Sequence, residues 1–128
     1  MLTGLNHITI GVSDLERSFD FYVSLLGMRP IVKWDAGAYL TVESIWICLS
    51  LGKAMPARDY SHISFTVPAT EFEPCCSRLI SSEVKTWKEN SSEGDSLYFL
   101  DPDGHKLEIH AGDLNSRLKD LKSTPTKV

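Results

Sequence analysis

The chain has 128 residues, 42% hydrophobic and 23% charged, with 13 Lys and Arg against 17 Asp and Glu for a net charge of −4. That composition suits one ordinary globular domain and excludes a disordered or fibrous chain. The acidic balance lacks the basic stripe of a nucleic-acid binder, and no apolar run approaches the roughly 20 residues that span a bilayer. The three cysteines are odd in number, with Cys75 and Cys76 adjacent, so they form no disulfide framework. Met1-Leu2-Thr3-Gly4 carries no basic leader before the first strand pattern. A cytoplasmic protein in a reducing compartment is expected, with neither nucleic acid nor membrane as partner.

In chain order, Ile8, Ile10 and Val12 alternate with His7, Thr9 and Gly11, the period of a half-buried strand. Ser13 or Asp14 starts a helix in which Leu15, Phe19, Tyr22, Leu25 and Leu26 recur at helical spacing, and Gly27 stops it. Three strand-like runs follow, about Arg29–Trp34, Ala38–Val42 and Ile45–Ser50, broken by Asp35-Ala36-Gly37 and Glu43-Ser44. Leu51 to Asp59 is looser and reads as a linker. Ile63, Phe65 and Val67 then restart the strand pattern, and a second helix carries Phe72, Cys75, Cys76, Leu79 and Ile80. Three more strands are expected, about Val84–Glu89, Ser96–Leu100 and His105–His110, and then an amphipathic tail helix.

The order β-α-β-β-β thus occurs twice. H-I-T-I-G-V (His7–Val12) lies over H-I-S-F-T-V (His62–Val67) with three of six positions identical. A six-residue match could be chance, but the same order of elements around it makes internal duplication the better explanation. The expected organisation is one domain over residues 1–128: module 1 at about 1–52, module 2 at about 58–112 and a tail helix at about 113–122.

Alternate strand residues share a face. The polar faces of the two opening strands carry His7 with Thr9 and His62 with Ser64, and the last strand carries Lys106, Glu108 and His110. Two histidines at equivalent repeat positions plus a carboxylate suit a divalent metal with open positions for substrate. A lone strand histidine is more often structural, so the residues alone leave the metal site open, with His110 competing with Glu108 as third ligand. His105, of opposite parity, reads as structural. Ser91-Ser92-Glu93-Gly94-Asp95-Ser96 is either a plain hairpin turn or an ion-holding loop. Lys88, Lys106 and Arg117 read by default as solvated surface charges.

Several segments carry a family resemblance. They are L-N-H-I-T-I (Leu5–Ile10), W-D-A-G-A-Y-L (Trp34–Leu40), W-I-C-L-S (Trp46–Ser50), D-Y-S-H (Asp59–His62), W-K-E-N-S-S-E-G-D-S (Trp87–Ser96) and Y-F-L-D-P-D-G-H-K-L-E (Tyr98–Glu108). From Met1 to about Leu118 the chain resembles the fosfomycin-resistance glutathione transferases of the vicinal oxygen chelate superfamily. The resemblance implies an α+β fold of paired βαβββ modules in an intertwined homodimer. It implies Mn²⁺ held by His62 and Glu108 of one subunit with His7 of the other, and K⁺ held by Ser92, Glu93, Gly94 and Ser96. It places the antibiotic fosfomycin against Trp46, Tyr60, Lys88, Ser92, Tyr98 and Arg117. Trp34, Tyr39 and Ser50 fall at the glutathione end, and Thr9 and Tyr39 are the catalytic residues. Thr9 lies against the epoxide oxygen and Tyr39 meets the incoming thiol. Alternatives are a fosfomycin-opening enzyme that uses another thiol or water, with Glu43 a weak candidate base, an Fe(II) extradiol-type dioxygenase, or a drug-sequestering protein without catalysis.

Overall fold

A computed structural model describes residues 1–121. Eight strands form two four-stranded sheets. The first contains β1 (His7–Val12), β2 (Arg29–Trp34), β3 (Gly37–Val42) and β4 (Ile45–Leu51), in the order β1-β4-β3-β2. The second contains β5 (Ile63–Thr66), β6 (Thr86–Lys88), β7 (Asp95–Leu100) and β8 (Lys106–Ala111), in the order β5-β8-β7-β6. In both, the opening strand runs parallel to the last strand of its module, and the other pairs are antiparallel. This shared topology makes the architecture α+β, with paired βαβββ modules.

The chain divides into two compact units. One comprises Met1–Pro56 with the short turn Asp101–Gly104; the other comprises Ala57–Leu100 and the chain from His105 onward. In the first unit, Ile10, Val12, Ala38, Leu40, Ile47 and Leu49 are buried on one face of the sheet, where α1 (Leu15–Phe19) packs on β4. The Asp14 side chain caps α1 by accepting from the Arg17 amide at 3.1 Å. The expected single helix is altered in its second half, because Asp20–Leu25 forms a π-helical segment. The Leu26 amide bonds the Phe21 carbonyl at 3.0 Å, one residue beyond the α-helical spacing. This wider turn buries the consecutive residues Phe21 and Tyr22 together, ring against ring at 5.1 Å. Gly27, at φ 79°, ends the segment in the left-handed conformation.

The turn Asp101–Gly104 completes this unit. Tyr22 Oη donates to Asp101 Oδ2 at 2.6 Å, with both residues buried. Asp103 accepts from the Ser13 amide at 3.1 Å, from the Ser13 hydroxyl, and from Arg17 at 3.2 Å.

In the second unit, Phe99, Leu107 and Ile109 are buried, and so are Phe72 and Leu79 of α2 (Phe72–Ser81). A short 3₁₀ turn, Ala69–Glu71, precedes α2. The tail helix is α3 (Leu114–Asp120), and residue 122 of its expected span lies outside the described residues. A capping box between Asp113 and Ser116 starts α3. Among the described residues, no helix is long and apolar enough to cross a membrane.

Candidate functional site

Register sorts the expected residues onto one face of each sheet. In the first sheet His7 pairs with Trp46, Thr9 with Cys48 and Tyr39 with Cys48, while Ser50 pairs with Gly37 and Gly37 with Trp34. Since side chains in register point the same way, His7, Thr9, Trp34, Tyr39, Trp46 and Ser50 share the face opposite the buried one. Aromatic contacts run along it: His7 to Trp46 at 4.4 Å, Trp46 to Tyr39 at 5.0 Å and Tyr39 to Trp34 at 4.9 Å. Gly37 makes room for Trp34, because a Cβ there would stand 2.9 Å from the indole Cζ2. The buried Trp46 Nε1 has no hydrogen-bond partner among the described residues.

In the second sheet Ser64 pairs with Glu108, Glu108 with Tyr98 and Tyr98 with Lys88, while Thr66 and Ser96 both pair with His110. His62, just before β5, brings Nε2 to 3.0 Å from Glu108 Oε1. The other ring nitrogen, Nδ1, is 2.8 Å from the Tyr60 carbonyl. A carbonyl only accepts, so Nδ1 carries the hydrogen. Nε2 then meets a carboxylate oxygen lone pair to lone pair unless a proton or a cation lies between them. His7 has the same arrangement, with Nδ1 2.7 Å from Asn6 Oδ1 and Nε2 left for a ligand. Histidines that bind metals characteristically donate their second N–H to such an acceptor.

These donors therefore fit a divalent cation that accepts imidazole and carboxylate. Among the described residues of one chain, no group of three His, Cys, Asp or Glu side chains gathers around a point. Burial acts to raise the Glu108 carboxyl pKa, but hydrogen bonds, that from Ser96 foremost, hold it below the ordinary value. It is thus kept ionised, the form a metal requires.

Beside this pair, Lys88 Nζ lies 4.5 Å from the Tyr98 ring centre and 5.5 Å from that of Tyr60. A hydrogen bond with Tyr60 holds its pKa above the ordinary lysine value, so the ammonium stays charged. Tyr60 and Trp87 pack on His62, at 4.9 and 5.3 Å between ring centres. Lys106 departs from its expected role as a solvated charge, because its ammonium donates to the Ala57 and Asp59 carbonyls at 2.6 and 2.9 Å.

All four expected K⁺ ligands have protein partners. Arg117 donates to Ser92 Oγ at 3.4 Å and to Glu93 Oε1 at 3.3 Å, so a guanidinium charge already sits on this loop. Asn90 closes the loop by donating to the Gly94 carbonyl at 2.8 Å. The Ser96 hydroxyl contacts both Glu108 Oε2 and His110 Nδ1 at 2.6 Å. Sequence reasoning missed Asn6, Asn90 and the Tyr60 carbonyl. Asn6 adjoins a candidate ligand, but nothing in a sequence marks a particular backbone carbonyl.

The sequence profile of the Glyoxalase/Bleomycin resistance protein/Dioxygenase superfamily matches residues 4–109. Glutathione transferase FosA of Serratia marcescens is 48% identical, covering 98% of this chain and 92% of that protein. Metallothiol transferase FosB of Lysinibacillus sphaericus is 37% identical over 89% of this chain and 86% of that protein. A crystallised variant of the fosfomycin resistance protein FosX of Listeria monocytogenes, complexed with Mn(II) and 1S,2S-dihydroxypropylphosphonic acid, superposes with a TM-score of 0.83 at 31% identity, covering 93% of this chain and 99% of that one. The chain belongs to the fosfomycin-resistance proteins of this superfamily.

Proposed function

We propose that the protein opens the epoxide of fosfomycin by adding the thiol of glutathione, with Mn²⁺ bound, and so confers resistance to the drug. The observation that carries this reading is His62, whose Nδ1 is committed to the Tyr60 carbonyl while Nε2 stands 3.0 Å from Glu108 Oε1, beside the charged Lys88. Glutathione is favoured by the 48% identity to a glutathione transferase. Glu43, the candidate base for a water reaction, lies on the exposed β3–β4 turn at φ 50°.

When bound, the metal supplies a Lewis acid for the negative charge that develops on the epoxide oxygen. Lys88 and Arg117, with Ser92 and Tyr98, hold the phosphonate by charge and hydrogen bonds. Trp46 and Tyr60 wall the drug, and Trp34 and Ser50 meet glutathione. Tyr39 donates a hydrogen bond that favours the thiolate. The sulfur bonds to an epoxide carbon as that carbon's C–O bond breaks, and the electron pair goes to oxygen. Thr9 donates a hydrogen bond to this oxygen, which takes up from water a proton equivalent to the one the thiol released as its thiolate formed, giving the hydroxyl of a thioether product. The reading includes K⁺ at Ser92, Glu93, Gly94 and Ser96, and an intertwined homodimer in which His7 of a second copy completes the metal set.

Purified protein with fosfomycin, Mn²⁺ and K⁺ is incubated with glutathione, cysteine, bacillithiol or no thiol, and products are read by mass spectrometry. A glutathione adduct is expected, and replacing K⁺ with a larger organic cation should slow its formation. The dihydroxy product without thiol, or an adduct with another thiol alone, overturns the glutathione assignment. No product in any arm overturns the activity. Mixing inactive His7→Ala and His62→Ala proteins should restore about a quarter of wild-type activity if subunits exchange ligands in a two-fold dimer; no restoration after subunit exchange refutes sharing.

A further inference from the structure

His110 shares its sheet face with Glu108 but does not turn toward His62. Its ring is seated in a slot made by two glycines. A Cβ on Gly94 would stand 2.9 Å from His110 Cε1 and 3.1 Å from Nε2, and a Cβ on Gly112 would stand 2.7 Å from Nε2. Any larger residue at either position displaces the imidazole, and Gly94 also has φ +75°. Nε2 faces Glu93 Oε1 at 3.5 Å, and Nδ1 meets Ser96 Oγ at 2.6 Å.

The Ser96 hydroxyl has one hydrogen and two neighbours at 2.6 Å, Glu108 Oε2 and His110 Nδ1. An ionised carboxylate has no hydrogen to give, so Ser96 donates to Glu108. The Ser96 oxygen must then accept, and Nδ1–H of His110 is the donor that faces it. The chain runs from His110 Nδ1–H to Ser96 Oγ–H to Glu108 Oε2, leaving Oε1 toward His62.

We propose that His110 is a positioning residue: held in the Gly94–Gly112 slot, it fixes through Ser96 the orientation of the Glu108 carboxylate for metal binding. His110 Nδ1 stands 3.6 Å from Glu108 Oε2, beyond hydrogen-bond distance, so Ser96 carries the link. The proposal rests on the metal reading of His62 and Glu108 above.

Mn²⁺ alone is titrated into wild type and variants by calorimetry or electron paramagnetic resonance, with melting temperature measured beside it. His110→Leu and Ser96→Ala should each weaken Mn²⁺ binding about 10- to 100-fold. Their double variant should lose no more than the worse single one, because both break one chain. His110→Asn should retain affinity within about threefold, since its amide N–H replaces the Nδ1 donor in a side chain nearly the shape of leucine. Folded His110→Leu with wild-type affinity overturns the proposal, as does His110→Asn as weak as His110→Leu. Metal-free wild type supplies a second measurement, the ¹⁵N NMR tautomer of His110. A ring with hydrogen on Nδ1 is expected, and a neutral ring with hydrogen only on Nε2 overturns the proposal. Should wild type bind no Mn²⁺, the metal reading fails on its own and the tautomer decides the His110–Ser96–Glu108 chain.

Discussion

Tyr22→Phe removes one oxygen from the interior of the first unit and leaves the ring in place. Tyr22 is 0% exposed and Asp101 5% exposed, with Oη donating to Oδ2 at 2.6 Å. The other carboxylate oxygen, Oδ1, keeps the Asp103 amide at 2.9 Å. Hydrogen bonds to a charged group contribute about 1.5–3 kcal/mol. The short distance and full burial favour the upper end, a loss of about 3 kcal/mol. For a chain this long that corresponds to a fall of about 10 °C in melting temperature.

The same contact makes a pH prediction with a definite sign. Burial, and then the Asp101 charge, push the Tyr22 phenol pKa far above its ordinary value. The folded state therefore holds this proton more tightly than the unfolded state. Its contribution is fully present below the unfolded tyrosine pKa of about 10 and is lost progressively above it, by up to about 1.4 kcal/mol per pH unit. Urea unfolding of wild type and Tyr22→Phe should thus differ by a constant amount from about pH 6 to 10, and the difference should shrink at higher pH. A difference below about 0.5 kcal/mol at neutral pH, or one that grows with alkali, refutes the reasoning.

Four further outcomes are expected. Glu108→Gln should abolish Mn²⁺-dependent thiol addition and weaken Mn²⁺ binding at least about 100-fold while the fold persists, checked by product mass spectrometry and metal titration. Ser18→Ala should stabilise by about 0.5–1 kcal/mol in urea unfolding, because the buried Ser18 hydroxyl has no partner among the described residues and alanine favours the helix. Gly37→Ala should cost about 2–3 kcal/mol in the same assay and shift tryptophan fluorescence, since its Cβ would stand 2.5 Å from the Leu49 carbonyl oxygen and 2.9 Å from Trp34. Glu83→Gly should raise stability by about 1 kcal/mol, because Glu83 holds φ 59° just past α2, a conformation that costs a side chain energy.

Strands such as His7–Val12 and Ile45–Leu51 were legible because their apolar residues repeat every second position. Arg29–Trp34 has the bounds expected, and the two modules show the shared strand order that His7–Val12 and His62–Val67 suggested. The π-helical segment was not legible, because the helical spacing took in Tyr22 but not its buried neighbour Phe21, and spacing does not show which carbonyl an amide chooses. Parity could not separate Glu108 from His110, since both lie on one face of β8. Register separates them: Glu108 falls between Ser64 and Tyr98, whereas His110 falls between Thr66 and Ser96. The Lys106 contacts escaped notice because their acceptors are backbone carbonyls, available in principle at every residue.

The turn Asp101–Gly104 has a consequence for how the protein is made. Tyr22 and its acceptor are 79 residues apart in the chain. A ribosome adding about 5–20 residues per second takes roughly 4–16 s to cover that interval. Throughout it, the nascent first unit has a tyrosine hydroxyl whose acceptor has not yet been synthesised. The first unit is therefore finished only when most of the second has been translated, and a gene cut after Pro56 would yield an N-terminal product lacking Asp101.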